Sequence, residues 1–234
     1  MLGTLKVERP LYWTKLQYMV DPAQNTKHLM AALENCPLIP VLTISRNDLI
    51  DPLGSILSNS KVQAIEVTLR SPCALEAINI MKKSYPQLLI GAGTILNVQQ
   101  LELAQAAGAD FLVTPGTPLV LLKKLRDADL PIIPGASSPT EMMLLNDEGF
   151  QAQKFFPAEA LGGPDFLNSV SGPLPHLEFC PTGGVSRSNV RDYLRLKNVF
   201  AVGGGWLVNM RAAEKGEWEK VASELNTALE EEEV

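Results

Sequence analysis

Short apolar runs, mostly ended by Gly, Pro or Thr, recur along the chain at Leu38–Ile44, Val62–Leu69, Leu88–Ile90, Asp110–Val113, Pro131–Ile133, Gln151–Phe156, Leu177–Cys180 and Val199–Val202. Runs of this length read as strands buried on both faces, as in parallel sheets. Between them, apolar residues at helical spacing predict amphipathic helices, among them Pro72–Tyr85, Val98–Ala107, Pro118–Ala128, Thr140–Asp147, Asp165–Val170 and Ser188–Leu196. With the strand ends placed near positions 43, 70, 94, 115, 134, 156, 182 and 203, successive ends lie about 19 to 27 residues apart, the span of one strand and one helix. Eight such units predict an α/β chain folded as a (β/α)8 TIM barrel, because right-handed crossovers with short loops set each strand beside its predecessor and closure removes both sheet edges. An open doubly wound sheet is the second architecture that fits the alternation. No G-x-G-x-x-G follows the first run, however, and the loops after the seventh and eighth are both rich in glycine.

At the N-terminus, Thr26–Glu34 places Leu29, Met30 and Leu33 at helical spacing and predicts an N-terminal capping helix on the barrel floor. Residues 1–25 lack strand-like alternation and are expected to form an arm, with 26–234 as a single domain. Trp218, Val221, Leu225 and Leu229 mark one face of a closing helix, followed by the acidic run Glu230–Glu233.

Composition narrows the function classes. The net charge is -6, and no cluster of Lys or Arg is placed to neutralise a run of phosphates, which argues against nucleic-acid binding. The apolar runs stop well short of the roughly 20 residues that span a bilayer, so no membrane segment is expected. The first 30 residues carry neither secretory nor transit signatures, and the cytoplasm is the expected compartment. Three cysteines, Cys36, Cys73 and Cys180, have no C-x-x-C spacing, which argues against a disulfide framework or a zinc site. Two distant histidines, His28 and His176, supply neither a histidine-bound metal nor a Ser-His-Asp triad, although a carboxylate-held Mg²⁺ stays compatible with the composition.

In a barrel the chemistry lies at the C-terminal strand ends. In Ile65-Glu66-Val67-Thr68-Leu69-Arg70 the side chains alternate, so Glu66, Thr68 and Arg70 share the inward face, where an unpaired charge is heavily penalised. An internal Glu66–Arg70 salt bridge is the plain alternative to a catalytic carboxylate. The sixth run places Lys154 and Phe156 on one face. Burial disfavours the charged form of an amine and leaves a neutral fraction able to attack a carbonyl and form a Schiff base. The plain alternative is that Lys154 faces outward or merely neutralises Glu66. The seventh run ends in Pro181-Thr182-Gly183-Gly184 and the eighth in Gly203-Gly204-Gly205, the two places where barrels often bind phosphate through backbone N–H groups. Gly91-Ala92-Gly93-Thr94 and Thr114-Pro115-Gly116 add hydroxyls and close-approach backbone at the same mouth. Arg46 reads as a solvated loop residue, and His176 falls at the opposite end of the barrel.

The combination I-E-V-T-L-R (65–70), G-A-G-T (91–94), K-F-F-P-A-E (154–159), C-P-T-G-G (180–184) and G-G-G-W-L-V (203–208) resembles the 2-keto-3-deoxy-6-phosphogluconate (KDPG) aldolase family, which includes 4-hydroxy-2-oxoglutarate (KHG) aldolase activity. The likeness runs from about Thr26 to about Val208 in consecutive order. It implies a class I, metal-independent lyase of (β/α)8 fold with no cofactor, usually a homotrimer. Such an enzyme cleaves a phosphorylated 2-keto acid to pyruvate and glyceraldehyde 3-phosphate in the Entner-Doudoroff pathway. By position, Lys154 matches the Schiff-base lysine and Glu66 the general acid/base. Arg70 and Thr94 match residues near the pyruvate carboxylate, and Pro115 and Phe156 match site walls. Thr182, Gly183 and Gly184 match the hydroxyl-contacting and phosphate-binding segment. Gly205 stands where the family commonly has Ser, which removes one hydroxyl donor to phosphate and keeps the backbone N–H. Residues 1–25 lie outside the family pattern.

Four readings compete with this one. They are cleavage of the galactonate epimer, cleavage of unphosphorylated 4-hydroxy-2-oxoglutarate, a non-catalytic phospho-sugar-binding barrel and a Mg²⁺-dependent pyruvate aldolase. Thr182 resembles the residue carried by phosphogluconate-cleaving members.

Overall fold

The computed structural model describes residues 22–231. The arm expected over residues 1–25 lies outside the described residues up to Asp21, as does the chain beyond Glu231. The strands are β1 (Leu38–Leu42), β2 (Ala64–Thr68), β3 (Leu89–Gly93), β4 (Phe111–Val113), β5 (Ile132–Ile133), β6 (Gly135–Ala136), β7 (Ala152–Phe155), β8 (Glu178–Pro181) and β9 (Val202–Gly204). The helices are α1 (Pro22–Leu33), α2 (Ile50–Ser58), α3 (Ala74–Ser84), α4 (Val98–Ala106), α5 (Leu119–Arg126), α6 (Pro139–Asp147), α7 (Gly163–Ser171), α8 (Val190–Leu194), α9 (Met210–Glu214) and α10 (Trp218–Glu231). Strand and helix alternate as the hydrophobic pattern requires, and every strand pairing is parallel.

The expected eight-stranded closure is met in part, as a curled α/β assembly whose ladders form two sheets. One has six strands in the order β5-β4-β3-β2-β1-β9, and the other has three in the order β6-β7-β8. The division falls at Pro134, which has no N–H for a ladder. Ile132 and Ile133 pair with β4, whereas Gly135 and Ala136 pair with β7 on the other side. The Lys154 N–H donates to the Pro134 carbonyl at 2.8 Å, and the Gly135 N–H donates to Thr114 Oγ1 at 2.9 Å, so the break is stitched on both sides. Isolated bridges Phe179↔Val199 and Thr182↔Gly203 join β8 to the β9 segment.

Two apolar layers follow from strand alternation. The larger lies between strands and helices and includes Leu42, Ile65, Val67, Ile90, Phe155 and Phe179. The smaller lies on the opposite strand faces, where Ile39, Ala64, Phe111, Val113, Ile133, Cys180 and Ala201 meet Leu29 and Leu33 of α1. The capping helix expected from Thr26 thus begins four residues earlier, at Pro22, and buries the leucines its pattern singled out.

The helix after β1, α2, was not among those named from the sequence, and it contains both Pro52 and Gly54. Pro52 falls in the first turn, where its missing N–H has no helical partner to lose. Gly54 is there because the Tyr85 ring lies against it, and an added Cβ would come within 2.2 Å of that ring. Gly91, opposite Phe111 on the β3–β4 ladder, obeys the same constraint inside the sheet, since a Cβ there would sit 2.2 Å from the Phe111 ring. Gly91→Ala should therefore destabilise the fold by about 1 to 3 kcal/mol through overpacking. Gly116→Ala, which meets nothing within 4 Å, should change stability by less than about 0.5 kcal/mol, and urea unfolding of the two variants checks the contrast.

Candidate active site

Lys154 on β7 and Glu66 on β2 come from different sheets and meet at the C-terminal side of the inner apolar layer. Lys154 Nζ lies 3.2 Å from both Glu66 carboxylate oxygens. The two residues are only 5% and 3% exposed. The pair answers the question left by the sequence, in that Glu66 is bonded to Lys154 and not to Arg70. Gly93 makes room for it, because a Cβ at that position would fall 2.0 Å from Glu66 Oε1. The Phe156 ring stands 5.5 Å from Lys154 Nζ, within range of a cation–π contact. Cys180 is the ladder partner of Lys154. Burial pushes its thiol up to about 12, with Lys154 lowering it and Glu66 raising it, so a neutral thiol lies beside the ion pair.

Above the pair, the Thr68 hydroxyl organises the ends of β1 and β2. It donates to the Leu42 carbonyl at 2.9 Å and accepts Arg70 Nε at 3.1 Å. Its only proton being spent on Leu42, it accepts the hydroxyl of Thr43 at 2.9 Å. The expectation that Arg70 points inward with Glu66 and Thr68 needs correcting: β2 ends at Thr68, and Arg70 is exposed beyond it, tethered by Thr68.

Thr94 follows Gly93 with φ 59°, alone among the non-glycine described residues in having a positive φ. For a β-branched residue this conformation costs about 1 to 3 kcal/mol and tends to occur where function demands it. Hydrogen bonds on either side, from Leu69 N–H to the Gly93 carbonyl (2.8 Å) and from Ile95 N–H to the Val113 carbonyl (3.3 Å), hold it in place. Half-buried Pro115 is fixed by its neighbours, since Thr114 accepts from Gly135 N–H and Thr117 donates to the Gly135 carbonyl.

Thr182 is buried against Gly203, where a Cβ would come 2.4 Å from its hydroxyl oxygen. Gly183 and Gly184 are left-handed, with φ 99° and 82°. All three carbonyls of this turn are engaged: Thr182 by Ala158 N–H (2.8 Å), Gly183 by Glu159 N–H (3.0 Å) and Gly184 by Asn189 Nδ2 (3.4 Å). The N–H groups of Gly184 and Val185 find no acceptor among the described residues, while that of Gly183 faces β9 at the Thr182↔Gly203 bridge. Successive unspent N–H groups of this kind form an anion-binding concavity. Gly205 is exposed and has open space where a side chain would stand, with the nearest atom, the Val41 carbonyl oxygen, at 3.6 Å.

The site residues read from the sequence therefore gather at one end of the strands. Arg46 stays outside, exposed and paired with Asp48, and His176 lines a cavity together with Pro175, at the start of β8. Thr43 was missed, although it extends the inward period of Ile39 and Val41. No three His, Cys, Asp or Glu side chains converge as a metal-ligand group among the described residues. A cavity of about 860 Å³ between Glu34, Cys36, Arg191 and Leu229 contains none of the side chains of this site.

Residues 29–224 match the family model described as KDPG and KHG aldolase. The chain is 42% identical over 194 residues to the KHG/KDPG aldolase of Escherichia coli K12, covering 83% of this chain and 91% of the relative. It is 40% identical over 207 residues to the 2-dehydro-3-deoxy-phosphogluconate aldolase of Pseudomonas aeruginosa, covering 88% and 94%. The crystal structure of KDPG aldolase from Legionella pneumophila, with pyruvate captured as a covalent carbinolamine intermediate, superposes with a TM-score of 0.82 at 36% identity, over 86% of this chain and 97% of that one. Sequence and fold agree, and the chain belongs to the KDPG and KHG aldolase family.

Proposed function

We propose that this chain is a class I aldolase that cleaves 2-dehydro-3-deoxy-6-phosphogluconate to pyruvate and D-glyceraldehyde 3-phosphate through an imine on Lys154, with Glu66 as the general acid/base. The observation that carries the reading is the contact of one buried amine with both oxygens of one buried carboxylate, each at 3.2 Å. The names of the relatives support the substrate.

Proton transfer along that contact turns the ion pair into a neutral amine and a neutral acid. The amine attacks the C2 carbonyl, and Glu66 gives its proton to the oxygen as the carbinolamine forms, takes one back from the carbinolamine nitrogen, and gives that one to the hydroxyl, which leaves as water when the imine forms. The regenerated carboxylate takes the C4 hydroxyl proton. The C3–C4 bond breaks, its electrons pass into the protonated imine as an enamine, and the aldehyde leaves. Glu66 returns the proton to C3, and hydrolysis of the imine frees pyruvate and the Lys154 amine. One carboxylate can serve every step because it lies within hydrogen-bond reach of the reacting nitrogen.

Arg70 and Thr94 are assigned to the pyruvate carboxylate, and Pro115 and Phe156 to the walls. Thr182 is assigned to a substrate hydroxyl, and Gly183, Gly184 and Gly205 to the phosphate. Without a hydroxyl at Gly205, the phosphate rests on backbone N–H groups, which the occupied carbonyls of 182–184 leave facing the ligand. Cleavage of 4-hydroxy-2-oxoglutarate to pyruvate and glyoxylate uses the same amine and carboxylate.

The same reading extends to architecture. Residues 26–234 are taken as a single domain whose two sheets make one closed (β/α)8 barrel, supported by the two-sided pairing around Pro134 and by the bridges from β8 to the β9 segment. Exposed Leu96 before α4, Leu119 and Val120 at the start of α5, and Met143 and Leu144 on α6 support a homotrimer interface. Three free cysteines accord with a cytoplasmic setting.

Incubation with pyruvate and borohydride in the presence of a chelator should leave a reduced adduct on Lys154, located by peptide mass spectrometry. An unmodified Lys154 would overturn the assignment. Lys154→Ala should abolish cleavage, and Glu66→Gln should lower kcat by about 10² to 10⁴ while pyruvate still binds. Thr68→Val, which removes the acceptor of Arg70, should raise KM about tenfold with little change in kcat, and Thr68→Ser should restore it. Sedimentation should give a particle about three times the 25.5 kDa chain, dissociated by Val120→Glu.

A further inference from the structure

Glu159 belongs to the same K-F-F-P-A-E segment as Lys154, and the chemistry above gives it no part. Its backbone N–H holds the Gly183 carbonyl at 3.0 Å, and its side-chain stem walls the glycine turn, since a Cβ on Gly184 would fall 2.6 Å from both Glu159 Cβ and Cγ. The carboxylate itself has moved on. It lies beside Gly163, whose added Cβ would stand 3.1 Å from both Glu159 Oε1 and the Tyr193 hydroxyl oxygen, and it accepts a hydrogen bond from that hydroxyl. Tyr193 comes from α8 and is fully buried. Burial and the neighbouring Glu159 push its phenol well above the ordinary range, so at neutral pH it keeps the proton that it donates to the carboxylate.

We propose that Glu159 and Tyr193 are a positioning pair for the phosphate subsite, in which the Tyr193 hydroxyl draws the Glu159 carboxylate away from the Gly183–Gly184 turn and keeps a negative charge out of the place a phosphate would occupy. This rests on the assignment of that turn to phosphate in the function proposed above. A stem packed on the turn with its charge carried off to α8 has a simple electrostatic consequence. If the carboxylate is released, it can swing back onto the turn, where it opposes a dianion across a few ångströms. The chain has kept an acid next to an anion subsite by giving its charge another partner.

The test compares steady-state kinetics on 2-keto-3-deoxy-6-phosphogluconate and on 2-keto-3-deoxygluconate, the same substrate without its phosphate. Tyr193→Phe releases the carboxylate. Glu159→Asp, at an exposed position where misfolding is not expected, leaves the charge one methylene too short to reach Tyr193. Either variant should raise KM for the phosphorylated substrate at least about fivefold, and change KM for the unphosphorylated one by less than about twofold. Adding Glu159→Gln to Tyr193→Phe removes the charge and should bring KM for the phosphorylated substrate back towards the wild-type value. An equal rise for both substrates, or a double variant as impaired as Tyr193→Phe alone, would overturn the proposal and leave the pair a structural tie. A wild-type protein that gains nothing from the phosphate would overturn the assignment of the turn itself, and that result is read before any variant is made.

Discussion

A carboxylate and an ammonium that have both left water must find each other, because either one alone at this depth carries a desolvation penalty of several kcal/mol. Much of the candidate site can be read from that requirement. Lys154 and Glu66 come from separate sheets, so their contact can form only if β2 and β7 face one another at the right depth. Gly93 lacks a side chain because the carboxylate fills the space beside it, and the Phe156 ring offers the ammonium an aromatic face. Such a pair is weak support for stability, since apolar residues of similar volume pack as well without the penalty. Its retention makes sense where the proton shared between the two groups has work to do.

Depth along the strands divides the inner face into two regions of opposite chemistry. Towards α1, the residues are Leu29, Leu33, Ile39, Ala64, Phe111 and Ile133, a dry plug that holds the strands apart at fixed spacing. One step further along each strand the side chains turn polar: Thr43 after Val41, Glu66 and Thr68 after Ala64, and Lys154 after Ala152. The plug gives the polar layer a rigid base, and the polar layer is satisfied almost entirely by its own members. Thr68 illustrates the economy, because one hydroxyl uses its proton on Leu42 and its lone pairs on Thr43 and Arg70.

Much of this was legible in the sequence because strand alternation is a strict rule. I-E-V-T-L-R sends one set of three residues to each face of the strand, and a charged residue in an apolar strand marks which face is special. The lysine in A-Q-K-F-F is legible for the same reason. What the pattern hid was set by single contacts between distant residues. Gly54 looks like a helix breaker until the Tyr85 ring, thirty-one positions away, is placed on it. Pro134 looks like the end of the fifth strand, yet the chain resumes pairing at Gly135 with a different neighbour. Tyr193 sits on the apolar face of a short helix and reads as core, and nothing local discloses that its hydroxyl reaches Glu159. Arg70 follows the inward period in sequence, but the strand ends two residues before it and the rule no longer applies.

The glycine turn at 182–184 shows how a backbone can be given a polarity. A peptide segment carries as many acceptors as donors, and it attracts an anion only when its carbonyls are turned elsewhere. Here Ala158, Glu159 and Asn189 occupy the three carbonyls in succession, and left-handed Gly183 and Gly184 allow the chain to turn its N–H groups the other way. The donors at Ala158 and Glu159 follow directly on the segment that carries Lys154 and Phe156, so the same short stretch fixes both the reacting amine and the orientation of the turn. Under the proposed chemistry this links the two ends of the substrate. A displacement of residues 154–159 that disturbed the imine would also disturb the phosphate contacts, and the missing hydroxyl at Gly205 places more of that burden on the turn.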